Sequence, residues 1–234
     1  MRAVGGRLFV WGVLAFVLAL AGRSAPNGTR PVRSRSPEPL SRGQILVARE
    51  SLADPHFAES VILLVQYDPA HGTVGLMLNR RTEIPLSRLF PKVKHVSADP
   101  VYLGGPVALT AVQALLRRPS KAEQATPVLT DLYVTGKKEL IEKSMTSRLS
   151  PSQFRLYLGS AGWAPGQLEW EIEQGAWWVL PGRLPIVFDE DPDSLWSRLI
   201  RQSHLQIAQS SCSVPPPVLP ITWRAALCLA KADR

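Results

Sequence analysis

Beyond the first twenty or so residues, the densest apolar stretch is Ser60–Tyr67 (SVILLVQY), where β-branched and aliphatic side chains fill nearly every position. An apolar run of this length without polar alternation marks a strand buried on both faces. Asp68-Pro69-Ala70-His71-Gly72 follows as turn chemistry, and Thr73–Leu78 (TVGLML) as a second strand. Together they predict a β-hairpin with a long loop. Shorter runs at Gln44–Ala48, Val101–Leu103, Val128–Val134, Arg155–Leu158 and Trp177–Leu180 read as further strands, with Gly104-Gly105-Pro106 as a tight turn after the second of them.

Helical patterns are interspersed among these strands. Lys137–Met145 continues from the Val128–Val134 strand as a helix. Pro165 suits the first turn of another, with Leu168 and Ile172 on one face and Gly175 as its stop. Asp191-Pro192 supplies a cap and first turn for a helix over Pro192–Gln202, whose Leu195, Trp196, Leu199 and Ile200 form the buried stripe. Strands and helices mix without the regular alternation that builds a parallel sheet. The pattern therefore predicts a single compact α+β domain.

The ends of the chain differ from this body. Arg2 and Arg7 flank an apolar run, Leu8–Ala21, which Arg23 closes at 14 residues. A spanning helix needs about 20 apolar residues, and Ala19-Leu20-Ala21 places small residues at the cleavage-determining positions. Residues 1–21 thus read as a secretory signal peptide or, if uncleaved, an N-terminal anchor. Residues 22–42, rich in Pro, Ser and Arg, are expected to form a disordered basic linker. The domain is placed at residues 43–205, and residues 206–234 form a Pro-rich extension with a short helical tail. Exported protein, or protein tethered at a membrane through residues 1–42, is the expected location.

Charge changes meaning once it is placed along the chain. The formal net charge is +8, of which Arg2 and Arg7 carry +2 and residues 22–42 carry +4, leaving +2 for the body. Binding to nucleic acid needs clustered cations that neutralise phosphates, so no nucleic-acid partner is expected. The two cysteines, Cys212 and Cys228, could pair if the protein is exported, or remain free thiols. The four histidines lie far apart, so neither a metal site nor a cofactor is expected.

Several motifs, taken in order, resemble the YqgE/AlgH family (UPF0301). They are Gly43-Gln44-Ile45-Leu46-Val47-Ala48, Leu52-Ala53-Asp54-Pro55-His56-Phe57, Gly72 to Arg80, Gly104-Gly105-Pro106-Val107, and Ala161-Gly162-Trp163-Ala164-Pro165-Gly166-Gln167-Leu168-Glu169 with Glu171-Ile172 and Ala176-Trp177. The resemblance covers roughly Gly43 to Gln202. It implies a domain of coiled, bifurcated mixed β-sheets with peripheral helices, and members carry the label of transcriptional regulator without an agreed reaction or cofactor. This chain departs from the family pattern at Arg81, where a proline is usual, and at Gln66-Tyr67 and Leu115-Leu116, where members carry histidines.

Candidate chemistry concentrates in one segment. Gly162 and Gly166 allow backbone geometries near Trp163 that other residues resist, and a helix beginning near Gln167 would present free N–H groups beside Glu169. This 162–169 loop, with Asp54, Asn79, Gly104 and Gly105, forms the candidate binding set for an unidentified small molecule or protein. Against it stands a structural reading, in which Trp163 plugs the core and Asp54-Pro55 and Gly104-Gly105-Pro106 are turns. Glu169 and Glu173, four apart, would share a helix face as paired carboxylates or as solvated surface. No catalytic residues are assigned. A non-enzymatic binding or accessory module is the leading expectation, with an enzyme using the 162–169 loop and a cytosolic regulator as the other readings.

Overall fold

The computed structural model describes residues 39–93, 100–147 and 149–212. The leader, most of the linker and the question of Cys212–Cys228 pairing lie outside the described residues. Ten strands form one sheet: β1 Ile45–Ala48, β2 Val61–Asp68, β3 Gly72–Met77, β4 Arg81–Pro85, β5 Pro100–Leu103, β6 Val107–Arg117, β7 Thr126–Leu129, β8 Leu132–Thr135, β9 Phe154–Trp163 and β10 Trp177–Leu180. Among the described residues five helices join them: α1 Leu86–Leu89, α2 Lys138–Thr146, α3 Gln167–Glu173, α4 Leu184–Val187 and α5 Leu195–Cys212. The main path runs β10-β1-β2-β3-β9-β6-β8-β7, and β5 joins β9 off that path with β4 beyond it. Only the β5–β9 pair is parallel among the described ladders. The expected α+β domain on a mixed, bifurcated sheet is what forms.

The unbroken apolar runs have the explanation their pattern predicted. Ile45 and Val47 of β1, with Val61, Leu63 and Val65 of β2, enter one core, while Leu46, Ala48, Ile62 and Leu64 enter another on the opposite face. Because side chains alternate across a strand, a strand covered on both faces must be apolar at every position. The first core also takes Leu115, Leu132, Val134 and Tyr157 from the far strands, and Leu195, Leu199 and Ile200 of α5. One core fed from both ends of the sheet means that the sheet coils. A third core, around Leu116, Phe154 and Leu156, is capped by Ile141 and Met145 of α2.

The fork in the sheet lies on β9. Tyr157 and Leu158 pair with β5, whereas Ala161, Gly162 and Trp163 pair with β3 along the same edge, and β6 takes the other edge. Where β9 changes partner, Gly159 sits at φ +68° and the Gly104–Gly105 backbone presses against it. A Cβ on Gly104 would lie 2.3 Å from the Gly159 carbonyl oxygen, and one on Gly105 2.3 Å from the Ala161 nitrogen. Gly104-Gly105-Pro106 is therefore a backbone-to-backbone contact at the fork rather than only a tight turn.

Other boundaries shift from expectation. The single strand read over Val128–Val134 is the β7–β8 hairpin, turning through Thr130 and Asp131 with Asp131 at φ 62°. The last helix begins at Leu195, after an Asp191–Ser194 turn, and runs on to Cys212. Strand β6, the longest, follows the Gly-Gly-Pro contact at a place where no strand was expected. Leu40 packs on the second core. Among the described residues no helix is long and apolar enough to cross a membrane.

Candidate functional site

The predicted 162–169 loop is in fact strand, turn and helix. Gly162 and Trp163 close β9, Ala164–Gly166 turn, and α3 starts at Gln167. Pro165 thus precedes the helix instead of lying in its first turn. Gly166 takes the cap position at φ 76°, a left-handed conformation that glycine adopts without a Cβ penalty. Gly175, at φ 77°, follows the helix as expected.

What this turn assembles is a carboxylate cluster centred on Glu171. Its Oε2 accepts the indole N–H of Trp163 at 2.9 Å and that of Trp177 at 2.8 Å, and its Oε1 accepts the Gln167 amide at 2.9 Å. Gln167 in turn accepts the Ala164 backbone N–H through its own oxygen at 3.0 Å. The indoles stand edge to face, with centroids 6.0 Å apart, and Phe57 stacks on Trp163 at 6.1 Å and meets Trp177 edge-on. Trp163 and Trp177 are buried in the second core. Buried indoles need an acceptor, and one carboxylate on α3 serves both.

The remaining candidates are occupied by structural contacts. Asp54 is exposed and accepts the His56 backbone N–H at 2.8 Å, closing the turn that carries Phe57. Asn79 is buried; its oxygen accepts the Val61 N–H and its amide donates to the Glu59 carbonyl, both at 2.9 Å. Glu169 accepts the Tyr67 hydroxyl at 2.7 Å, a bond that, with some burial, pushes the Tyr67 phenol up to about 12. Glu173 is exposed and has no hydrogen-bond partner among the described residues; the carboxylate that gathers partners is Glu171. Among the described residues, neither Asp54 nor Asn79 hydrogen-bonds the 162–169 segment. No group of histidines, cysteines and carboxylates among them could hold a metal ion.

A second feature lies on the other branch of the fork. A cavity of about 380 Å³ opens between β4, β5, the start of β9 and the segment after α4, walled by Arg81, Tyr102, Pro151, Arg155, Phe188 and Glu190. Arg155 is only 5% exposed. Its Nη1 donates to the Val187 carbonyl at 3.1 Å and its Nη2 to that of Asp189. The guanidinium lies 5.0 Å from the Tyr102 ring and 5.7 Å from that of Phe188. Behind it, Tyr157 is fully buried with an unpartnered hydroxyl, and burial pushes its ionisation upward. The sequence reading passed over both Glu171 and Arg155.

Fold and site together define a single-domain α+β protein on a forked, coiled sheet, with a carboxylate–indole cluster on one branch and an arginine-walled cavity on the other. The chain belongs to the AlgH-like family, whose model matches residues 45–208. A UPF0301 protein of Thermobifida fusca is 37% identical over 175 residues, 71% of this chain and 88% of that one. Another, from Chlorobium luteolum, is 31% identical over 179 residues, 75% of this chain and 94% of that one. Among solved structures, a Corynebacterium diphtheriae protein superposes with a TM-score of 0.60 at 27% identity, covering 70% of this chain and 88% of its own. The AlgH protein of Pseudomonas aeruginosa, at 23% identity and a TM-score of 0.58, covers 81% and 99% and is a likeness of fold alone.

Proposed function

We propose that this chain is a binding or accessory module without catalytic chemistry of its own, acting outside the cytoplasm or tethered at a membrane through residues 1–42. The observation that carries the reading is the Glu171 cluster. The polar groups of the most distinctive segment are taken up by one another: two indoles and an amide on Glu171, Gln167 on Ala164, Glu169 on Tyr67. A catalytic group must reach a substrate proton or carbonyl, and these are committed to holding α3 on the sheet. The basic, apolar leader supports export, and a body carrying only +2 argues against a nucleic-acid partner. The partner is then a small molecule or protein bound away from α3.

Cell fractionation with N-terminal sequencing tests location. Mature protein should begin near Gly22 outside the cytoplasm, or remain with the membrane if the leader is kept. Full-length protein in the soluble cytosolic fraction would remove the export half of the proposal. A thermal-shift screen of metabolites against the parent and Gln167→Ala tests the other half. Ligand responses should survive the substitution, and their selective loss would return the site to α3.

A further inference from the structure

Arg155 is a buried cation with no anion to answer it. Among the described residues no carboxylate lies within ion-pairing distance of its guanidinium. Of the acidic residues on the segment it contacts, the Asp189 carboxylate pairs with Arg198 at 2.5 Å, and Glu190 is exposed, its backbone carbonyl accepting from Arg81 at 3.0 Å. A guanidinium offers five N–H donors. Two of Arg155's reach carbonyl oxygens, and its buried Nε–H makes no hydrogen bond of good geometry, the equally unsatisfied Tyr157 hydroxyl being its neighbour. Aromatic faces and carbonyl dipoles soften the loss of water around such a charge, but they do not neutralise it.

This charge forms part of the wall of a cavity about 380 Å³ in volume, within the range that holds small ligands. A second guanidinium, Arg81, stands in the same wall on β4, and Tyr102, Phe188 and Pro151 supply flat apolar surface. Arg155 ties the segment after α4 to β9, and Arg81 ties the same segment to β4. The cavity thus lies between β4, β5 and β9 on one side and a segment that both arginines pin on the other.

We propose that this cavity binds a small organic carboxylate, its charge answered by Arg155 and Arg81 and its apolar body laid against Tyr102 and Phe188. The inference rests on the binding-module reading and gives it a ligand class. A planar carboxylate matches the planar guanidinium fork. Exposed Glu190 at the wall disfavours a dianion, so a singly charged acid fits better than a phosphate ester. The carboxylate could belong to a free acid or to the C-terminus of a peptide, since both present the same group.

The test uses the whole chain with ¹⁵N-labelled arginine, followed by the Nε–H cross-peaks in proton–nitrogen NMR. The probes are benzoate, N-acetylphenylalanine, a peptide ending in phenylalanine with a free carboxylate, and benzamide as the neutral control. Benzoate or N-acetylphenylalanine should move the Arg155 cross-peak saturably, and benzamide should not. Preference for the peptide over both small acids identifies a chain terminus as the source. Arg81→Met, at an exposed position, should weaken the response about tenfold. Arg155→Lys removes the reporter itself, so its benzoate binding is read by isothermal titration calorimetry and should be lost, and if that variant does not fold, Arg81→Met decides alone. Equal response to benzamide, no saturable response to any acid, or full affinity in Arg81→Met would overturn the proposal. A neutral ligand found by thermal shift alongside a silent Arg155 cross-peak ends this inference and leaves the binding-module reading standing. Ligand responses lost on Gln167→Ala instead sink that reading itself.

Discussion

Replacing Glu171 with alanine isolates the cluster on which the functional reading depends. The substitution removes the acceptor of two indole N–H groups, on side chains 5% and 1% exposed, at Trp163 and Trp177. An unsatisfied buried donor costs ~1–3 kcal/mol. Gln167 loses its partner as well, but it is exposed and turns to water at little cost. Glu171 itself is half-buried, so removing its charge relieves some desolvation and offsets part of the loss. The expected net cost is ~3 kcal/mol, a fall in midpoint of roughly 10 °C for a domain of this size. Glu171→Gln should fall between, because its carbonyl still accepts from the indoles while its amide meets the Gln167 amide donor to donor.

The measurement is equilibrium unfolding in urea, followed by far-ultraviolet circular dichroism and by tryptophan fluorescence, with coincident transitions as the two-state check. A shift in midpoint without a change in slope reports the cost directly. A loss under ~1 kcal/mol for Glu171→Ala would mean that water replaces the carboxylate freely. A gain in stability would be worse for the reasoning, since sites that trade stability for function behave in that way. Either result would return Glu171 to the list of groups available to a ligand.

Three further outcomes are expected. Gly105→Ala should cost ~3 kcal/mol or more, because its Cβ would meet the backbone of Ser160 and Ala161 at 2.3 Å, whereas Gly162→Ala, whose Cβ meets only a Val107 methyl at 3.6 Å, should be near neutral in urea unfolding. Asn79→Ala should cost ~2–4 kcal/mol in the same assay, as it leaves the Val61 N–H and the Glu59 carbonyl without partners. For Tyr67 the folded pKa is raised, from an ordinary 10.0 to about 12, so its contribution is complete below pH 10 and is lost as pH rises through 12. The alkaline fall in stability across that window should be shallower in Tyr67→Phe, and an unchanged curve would show that the Glu169 bond does not couple to folding.

How far the sequence carried this description follows from what each element needed. Strands β2 and β3 were legible because both their faces are covered, so composition alone declares them. Strand β6 was not, because its first half is exposed and kinks at Ala108 (φ 49°), giving a mixed pattern with no period of two. The β7–β8 turn had a local signal in Thr130-Asp131, since aspartate tolerates the left-handed region, but the apolar residues on both sides read as one run. The fork on β9 depends on contact between segments more than fifty residues apart, Gly104–Gly105 and Gly159–Ala161. Nothing local to either segment encodes that contact.

The sites divide along the same line. On a helix, Glu171 looks like Glu169 and Glu173; only the tertiary approach of Trp163 from β9 and Trp177 from β10 sets it apart. Its spacing of four from Gln167 was available as a helix pair, yet that spacing says nothing about the indoles. Arg155 is the more instructive case, because its signal was present and local. Within Phe154-Arg155-Leu156-Tyr157 the period of two places Phe154 and Leu156 on one face and Arg155 and Tyr157 on the other. Phe154 and Leu156 enter the core under α2, and Tyr157 enters the main core. A cation sharing its face with a core tyrosine must either reach water or meet a partner. In this fold it meets two carbonyls, two aromatic faces and a cavity. A charged residue at an inward position of an otherwise apolar strand is therefore a question that the sequence already poses, and in this protein it points away from the most distinctive motif.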